Sequence, residues 1–347
     1  MARGLKQIVR LFGFITGLLA LTATVAVGPA SAAAAACLSA GSTGLTAAVV
    51  ASSNQTITGV INATGCDNGV YIGPGVSGVT VNGAYITGAN NHAIFVQNSV
   101  NDTIENSVVE GNGVAPTLCP LPPKQPSGPC IHEDKAIELV GSSYITVSGN
   151  TVNGNLADGG IGVADDGPLD PGALQAGTLS IAYHNLIENN VIVGNKGGCG
   201  IVVAAYNPGA GVSNNVIEDN VVAQNPAGII IAADSPHTLA LNNDVFSNVA
   251  EMNYLPGIIV HANTPGDVVL GTLIENNALI ANGPDAGAAG GKGPTTSTGI
   301  VVIAEPIPPG FPPGLPAATI HWTTLTGNTF SAEATTIFLS HAVTTFR

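Results

Sequence analysis

The chain has 347 residues, of which 22 are acidic and eight are basic, giving a formal net charge of −14 at pH 7. An acidic surface repels phosphate groups, so we expect no nucleic-acid partner and no anionic membrane partner. The hydrophobic fraction of 45% is too large, and too regularly placed, for a disordered chain.

Residues 1–32 have the pattern of a cleaved secretory signal peptide. Three basic residues within the first ten precede an apolar run at 11–27, and a small-residue site follows at 30–32. We therefore predict a secreted, periplasmic or cell-surface protein with no stable membrane insertion after cleavage. An uncleaved membrane anchor and lipid attachment at Cys37 are the alternatives.

Short apolar runs recur along the rest of the chain. Seven of them align at residues 93–96, 136–139, 160–163, 200–203, 228–231, 257–260 and 299–302. Asparagine pairs five residues apart alternate with these runs, as in NVIVGN at 190–195 and NVVAQN at 220–225. Strands this short cannot form a sandwich, but stacked repeats pair all backbone groups and bury aliphatic columns. The pattern predicts a parallel β-solenoid in which asparagine amides stack from coil to coil.

These repeats resemble the right-handed parallel β-helix superfamily, which includes pectate lyases, polygalacturonases, alginate epimerases and periplasmic copper-binding proteins. The resemblance implies an all-β, single-stranded right-handed parallel β-helix of about eight coils with loop inserts. We predict one such domain at residues 56–338, an N-terminal cap at 33–55 and a C-terminal tail at 339–347. The fold is shared by many activities, so function must come from the site.

Five cysteines suit an oxidising compartment. Cys119 and Cys130 bracket a proline-rich loop that would gain order from a covalent link, so we pair them. Cys37 with Cys66 is the second predicted disulfide. This pairing leaves Cys199, which we interpret as a small apolar residue.

Adjacent aspartates follow the run at 160–163. At the equivalent positions, the next coils carry alanine for Asp165 and mostly polar residues for Asp166. A polar residue is expected where a strand enters a turn, which accounts for Asp166. Asp165 departs from the repeat and is the stronger functional candidate, with a solvated corner as the alternative.

A second polar group leads into the run at 136–139. His132, Asp134 and Lys135 precede a strand whose outward column contains Glu138 as its only charge, and the next coil offers Gly162 there. The rest of this outward column is mostly apolar, so we expect inserts or a partner to cover it. The coil spacing is expected to bring the group near the aspartates of the next coil.

Such a patch could supply a proton donor and acceptor for sugar chemistry, or bind calcium through Asp134 and Asp165. A solvated acidic face is the alternative. The predicted catalytic residues are His132, Asp134, Lys135, Glu138 and Asp165, and the predicted substrate-binding residues are Asp158 and Asp166.

The family's known activities fit only in part. The Asn-Thr-Asp, Gly-His-Gly and Arg-Ile-Lys motifs of polygalacturonases are absent. Pectate-lyase-like sites abstract a proton with an arginine or a lysine, and Lys135 is the sole well-placed residue of this kind. The sequence DSPH at 234–237 has one residue more than the epimerase motif Asp-Pro-His, and we interpret this likeness as a coincidence. We therefore predict a carbohydrate-interacting protein, as a lyase, hydrolase or epimerase. The alternative is a non-catalytic scaffold, adhesin or ligand-binding module of the cell envelope.

Overall fold

The computed structural model describes residues 33–113, 135–156, 159–165, 181–307 and 314–340. The chain divides into two units, Met1–Ala33 and Ala34–Arg347. The predicted signal peptide lies outside the described residues. Within the described ranges, no helix is both long enough and apolar enough to cross a membrane.

Short strands dominate the second unit. In chain order the first half comprises β1 Leu38–Ser39, β2 Thr46–Val50, β3 Thr56–Asn62, β4 Asn68–Ile72, β5 Thr80–Thr87, β6 Ile94–Gln97, β7 Thr103–Glu105, β8 Val108–Glu110, β9 Ile137–Val140, β10 Thr146–Ser148, β11 Thr151–Asn153, β12 Gly159–Ala164, β13 Ala182–Tyr183, β14 Leu186–Glu188, β15 Val191–Val193 and β16 Cys199–Ala205. The second half comprises β17 Gly211–Ser213, β18 Val216–Glu218, β19 Val221–Ala223, β20 Ala227–Ala233, β21 Leu239–Leu241, β22 Asp244–Phe246, β23 Val249–Glu251, β24 Ile258–Ala262, β25 Val268–Leu270, β26 Leu273–Glu275, β27 Ala278–Ile280, β28 Thr298–Ala304, β29 Thr319–His321, β30 Thr324–Thr326, β31 Thr329–Ser331 and β32 Thr335–Leu339. A 3₁₀ helix, Gly41–Thr43, and a four-residue helix, Ala288–Gly291, complete the elements.

The strands stack into a parallel β-helix, as the repeats predict. The first sheet has the order β1-β2-β4-β6-β9-β12-β16-β20-β24-β28-β32, with β1 antiparallel to β2 and the rest parallel. A second sheet has two arms that meet at β5, and a third contains β13-β17-β21-β25-β29. Within the described ranges the first sheet holds ten parallel strands, against about eight predicted coils. These ten strands extend from Thr46 to Leu339, so they include part of the segments predicted as cap and tail.

Identical positions in successive coils pair directly. One inward column runs through Ile161, Ile201, Ile229, Ile258 and Ile300. All five side chains are fully buried in the main core. Burying each contributes about 2 kcal/mol, so the β-branched column stabilises the coils that its backbone pairs.

Buried asparagines form ladders at the corners of the coils. In one ladder, Asn150, Asn190 and Asn220 each donate an Nδ2–H to the Oδ1 of the next asparagine, at 2.9–3.0 Å. Each asparagine also donates to a backbone carbonyl in the preceding coil, so its buried amide is satisfied. The predicted asparagine stacking is confirmed.

The structure corrects one alignment within this pattern. By its spacing, NDVFSN at 243–248 aligns with NVVAQN at 220–225, yet Asn243 pairs with Asn215 and Asn248 pairs with Asn220. Each coil contains the same six-residue pattern twice, because three ladder positions lie five residues apart. Spacing alone therefore cannot distinguish the two registers.

Outward side chains of the first sheet form a separate outer cluster. It includes Val202, Ile230, Ile259 and Val301. The insert between β27 and β28 lies on it through Ala288, which accounts for part of the expected cover. Glu305 holds this insert by accepting hydrogen bonds from the N–H groups of Ala289 (2.6 Å) and Gly290 (2.9 Å).

The predicted Cys37–Cys66 disulfide is confirmed and joins the N-terminal segment to the first coils. Cys199 begins β16 and is only half-buried, where it packs against the outer cluster. The predicted Cys119–Cys130 pair lies outside the described residues.

Candidate functional site

Glu138 and Lys135, two of the predicted site residues, lie together on the outward side of the first sheet. Glu138 pairs in register with Phe95 before it and Gly162 after it. The backbone N–H of Lys135 donates to Glu138 Oε2 at 3.2 Å. A Cβ placed on Gly162 would lie 2.6 Å from both Glu138 Oε1 and Lys135 Cγ. The space left by the glycine is thus filled by a carboxylate and a lysine stem.

Aromatic rings continue this outward column toward the N-terminus. Phe95 stacks on His92 with ring centroids 4.7 Å apart, and it lies 5.8 Å from Tyr71. His92 Nδ1 is 2.9 Å from the carbonyl oxygen of Lys135. Glu138 and Lys135 are only 7% and 4% exposed. A sugar therefore cannot reach the Glu138 carboxylate without a rearrangement of its surroundings.

Asp165, the out-of-pattern carboxylate, is 2% exposed at the end of β12. Its Oδ1 accepts a hydrogen bond from the Tyr206 N–H at 2.8 Å and from Asn207 Nδ2 at 3.1 Å, and its Oδ2 accepts from the Asn207 N–H at 3.1 Å. Burial raises the pKa of Asp165 to about 6, and these hydrogen bonds oppose the rise. The carboxylate links its coil to the turn of the next one.

The register places Asp165 and Glu138 on opposite sides of the first sheet. Asp165 continues the column that holds Ala205 and Ala233, which belong to the main core. Glu138 instead shares its column with Val202, a member of the outer cluster. The two carboxylates thus do not converge on a common surface, and their catalytic roles stay predictions.

The remaining predicted site residues, His132, Asp134, Asp158 and Asp166, lie outside the described residues. Of the two residues predicted to bind calcium, only Asp165 is among the described residues. Its oxygens already accept hydrogen bonds from three N–H groups, which does not suit a calcium ligand. Among the described residues, no group of three or more His, Cys, Asp or Glu side chains could hold a metal ion.

Asp234 lies in the segment that resembles the epimerase motif. A histidine of the next coil, His261, lies near its carboxylate. His261 Nε2 lies 3.7 Å from Asp234 Oδ1, and Asn263 Nδ2 donates to the same oxygen at 2.5 Å. His237, the histidine of that motif, occupies a turn with φ of 66°. The histidine nearest to Asp234 is thus His261 and not His237 of the same segment.

Three aromatic side chains that the sequence did not single out form an exposed aromatic cluster, composed of Tyr144, Tyr183 and His184. Tyr144 and His184 stack with centroids 5.3 Å apart and 19° between their planes. Tyr183 meets both rings edge-on, at 5.4 and 5.5 Å. Tyr144 is 49% exposed, so the cluster presents ring surface to solvent.

The backbone at this cluster is left-handed, with φ of 59° at Tyr144 and 55° at His184. Bulky side chains adopt this conformation at a cost of about 1 kcal/mol or more, whereas asparagine and glycine tolerate it. Histidine is also enriched in this conformation, so the backbone accounts for His184 but not for the half-exposed Tyr144. A role toward a ligand is favoured for Tyr144.

A protein-family model described as a right-handed β-helix region matches residues 43–245 and 136–305, which is more than half of the chain. This chain belongs to the right-handed β-helix family. No curated protein matches this β-helix protein.

Solved structures of three β-helix proteins resemble it. An exopolygalacturonase from Thermotoga maritima is 14% identical with a TM-score of 0.41, and the match covers 74% of this chain and 49% of the enzyme. The mannuronan C-5 epimerase A-module of Azotobacter vinelandii is 12% identical with a TM-score of 0.37, covering 81% and 67%. The surface adhesin PfbA of Streptococcus pneumoniae is 11% identical with a TM-score of 0.42, covering 81% and 74%. At such values none of them assigns an activity here, so function has to be argued from the residues of this chain.

Proposed function

We propose that this protein is an exported carbohydrate-binding β-helix protein whose binding surface is the aromatic cluster. The observation that carries the proposal is the stacked pair Tyr144 and His184, exposed on a left-handed backbone. The C–H face of a pyranose ring packs on aromatic rings, and tyrosine and histidine add polar edges for its hydroxyl groups. Rigid rings also lose little conformational entropy when they bind.

Amide groups flank the cluster in the coils on either side. Asn101 precedes Tyr144 and Asn214 follows His184 at the same corner, and both side chains are exposed. Amides donate and accept hydrogen bonds, as sugar hydroxyl groups require. The acidic charge of the chain disfavours polyuronates, so neutral glycans, free or in a cell envelope, are the proposed partners.

Export is part of this proposal. The Cys37–Cys66 disulfide supports it, because structural disulfides persist in oxidising compartments. The signal-like pattern at residues 1–32 supports it independently.

A second candidate function is catalysis, as a polysaccharide lyase, hydrolase or epimerase. The supporting observation is the buried Glu138 carboxylate beside Lys135, since low exposure strengthens electrostatic interactions and suits proton transfer. His132, Asp134 and Asp165 would assist, with Asp158 and Asp166 toward the substrate. Catalysis requires a substrate to reach the Glu138 carboxylate, whereas binding at the aromatic cluster does not.

Affinity electrophoresis in gels containing neutral or acidic polysaccharides tests the binding proposal. The variants Tyr144→Asn and Tyr183→Ser carry residue types found in the same columns of neighbouring coils, and both should lose retardation by neutral polysaccharides. Tyr254→Ala is the matched control, because Tyr254 is 77% exposed outside the cluster. Equal retardation of all four proteins would refute the proposal.

Assays for reducing ends and for unsaturated products on the same polysaccharides test catalysis. Turnover that Glu138→Gln abolishes would favour the second candidate. Binding without turnover favours the first.

A further inference from the structure

The aromatic cluster is part of a longer exposed column at one corner of the β-helix, here called the corner column. Seven of its residues are Asn101, Tyr144, His184, Asn214, Asn242, Gly271 and Trp322, and the column continues toward the N-terminus through Gly78 and Asn54. The backbone N–H of each of the first six donates to the carbonyl of the residue just before its neighbour in the next coil. All seven have positive φ, between 50° and 73°. The column therefore runs along the helix axis with one residue per coil.

Trp322 repeats the anomaly of Tyr144 further along this column. Its φ is 55° and its side chain is 67% exposed. Glycine at 271 and asparagine at 214 and 242 are what a left-handed corner favours. Burial stabilises this exposed tryptophan only a little, and its left-handed backbone costs conformational energy. An external ligand therefore explains the side chain better.

The spacing of the two exposed aromatic side chains defines the length of that ligand. Tyr144 and Trp322 are five coils apart, which corresponds to about 24 Å at about 4.8 Å per coil. Between them, Asn214 and Asn242 expose amide side chains, and no residue of the column carries a carboxylate, lysine or arginine. An extended, uncharged oligosaccharide of several sugar rings is long enough to span this distance.

We infer that the part of the corner column from Tyr144 to Trp322 is a binding track for one extended, neutral polysaccharide chain, with these two residues as stacking platforms at the ends of the track. The inference rests on the proposed function and adds the ligand's length, direction and charge. Rings stack at the ends, while Asn214 and Asn242 hydrogen-bond hydroxyl groups between them. Two linked contacts bind a long chain more tightly than either contact binds a short one.

Calorimetry with neutral oligosaccharides of two, four and six hexose units tests the track. The unmodified protein should bind the hexasaccharide at least about tenfold more tightly than the disaccharide, because only the longer chain reaches both platforms. Tyr144→Asn and Trp322→Asn should each remove this gain, and Tyr254→Ala should retain it.

Thermal unfolding of the same variants separates binding from folding. Asparagine suits a left-handed corner, so Tyr144→Asn and Trp322→Asn should unfold at the same temperature or higher. A fall in unfolding temperature in both variants would indicate a structural role for the rings and overturn the track. If Tyr144→Asn abolishes binding and Trp322→Asn leaves hexasaccharide affinity unchanged, the track is overturned and the proposed function stands. If no neutral sugar binds, or if a protein partner binds the column instead, both fail.

Discussion

The carboxylate of Glu138 lies against Gly162 of the next coil, in the space that any other residue's Cβ would occupy. We expect Gly162→Ala to destabilise the protein by about 2 kcal/mol, because the new methyl group overpacks a buried charged group. Gly287→Ala is the control, since its Cβ would have only Asp285 Oδ1 near it, at 3.9 Å. Urea unfolding of both variants checks the difference, and equal midpoints would contradict the described packing.

A double-mutant cycle sharpens this test. In the Glu138→Ala background, Gly162→Ala should cost less than it does alone, because the displaced oxygens are gone. Lys135 Cγ remains 2.6 Å from the new Cβ, so the relief is expected to be partial. Strict additivity would mean that the two positions do not touch.

Removal of one ladder asparagine tests how the coils are held together. Asn190 donates to Asn220 Oδ1 and to the Val147 carbonyl, and its own Oδ1 accepts two hydrogen bonds from Asn150. Asn190→Ala leaves several buried polar groups unpaired, so we expect a loss of about 3–5 kcal/mol. Asn153→Ala, at a half-buried outward position of β11, should change the free energy of unfolding by less than about 0.5 kcal/mol. A similar effect of the two changes would argue against the ladder.

Periodicity in the sequence was sufficient to predict the fold. Inward columns such as Ile161 and Ile201 repeat because the coils stack, and a column of identical residues is visible without any structure. The spacing of the asparagines does not determine which residues pair between coils, because Asn243 and Asn248 both satisfy the same spacing. Only the hydrogen bonds to Asn215 and Asn220 determine the register.

The candidate sites were harder to predict for a geometric reason. Side chains alternate between the two faces of a strand, so a shift of one residue decides whether a side chain faces the core or the outer cluster. Coil stacking predicts that Asp165 and Glu138 lie near each other, but the two side chains face opposite sides of the sheet. Tyr144, His184 and Trp322 lie at corners separated by inserts of different lengths. Their shared column appears only when coils are paired through their backbones.

The Cys37–Cys66 link closes a loop with a sequence separation of 29. Replacing both cysteines by serine should lower the free energy of unfolding by about 3–4 kcal/mol, since the cross-link restricts the unfolded chain. Cys199→Ser, outside the disulfide, should have a smaller effect. Urea unfolding measures all three proteins, and an unchanged midpoint in the double variant would exclude a stabilising role for the link.

The pH dependence of stability should report the burial of Asp165. Burial raises its pKa from 3.8 to about 6, so the folded chain keeps this proton at pH values where the unfolded chain has lost it. Proton binding therefore favours the folded state, and the resulting stability is full below about pH 4 and is lost as pH rises to about 6. The loss amounts to about 3 kcal/mol.

Asp165→Asn removes this titration, because an amide does not ionise in that range. Urea unfolding at pH 4, 5, 6 and 7 should therefore show a steeper fall in stability for the unmodified protein than for the variant. Burial also raises the pKa of Asp102 and Asp267. These groups act in the same direction, so the variant should keep a shallower fall rather than none. Parallel curves for the two proteins would mean that the pKa of Asp165 is not raised in the folded state, because its hydrogen bonds with Tyr206 and Asn207 offset the effect of burial.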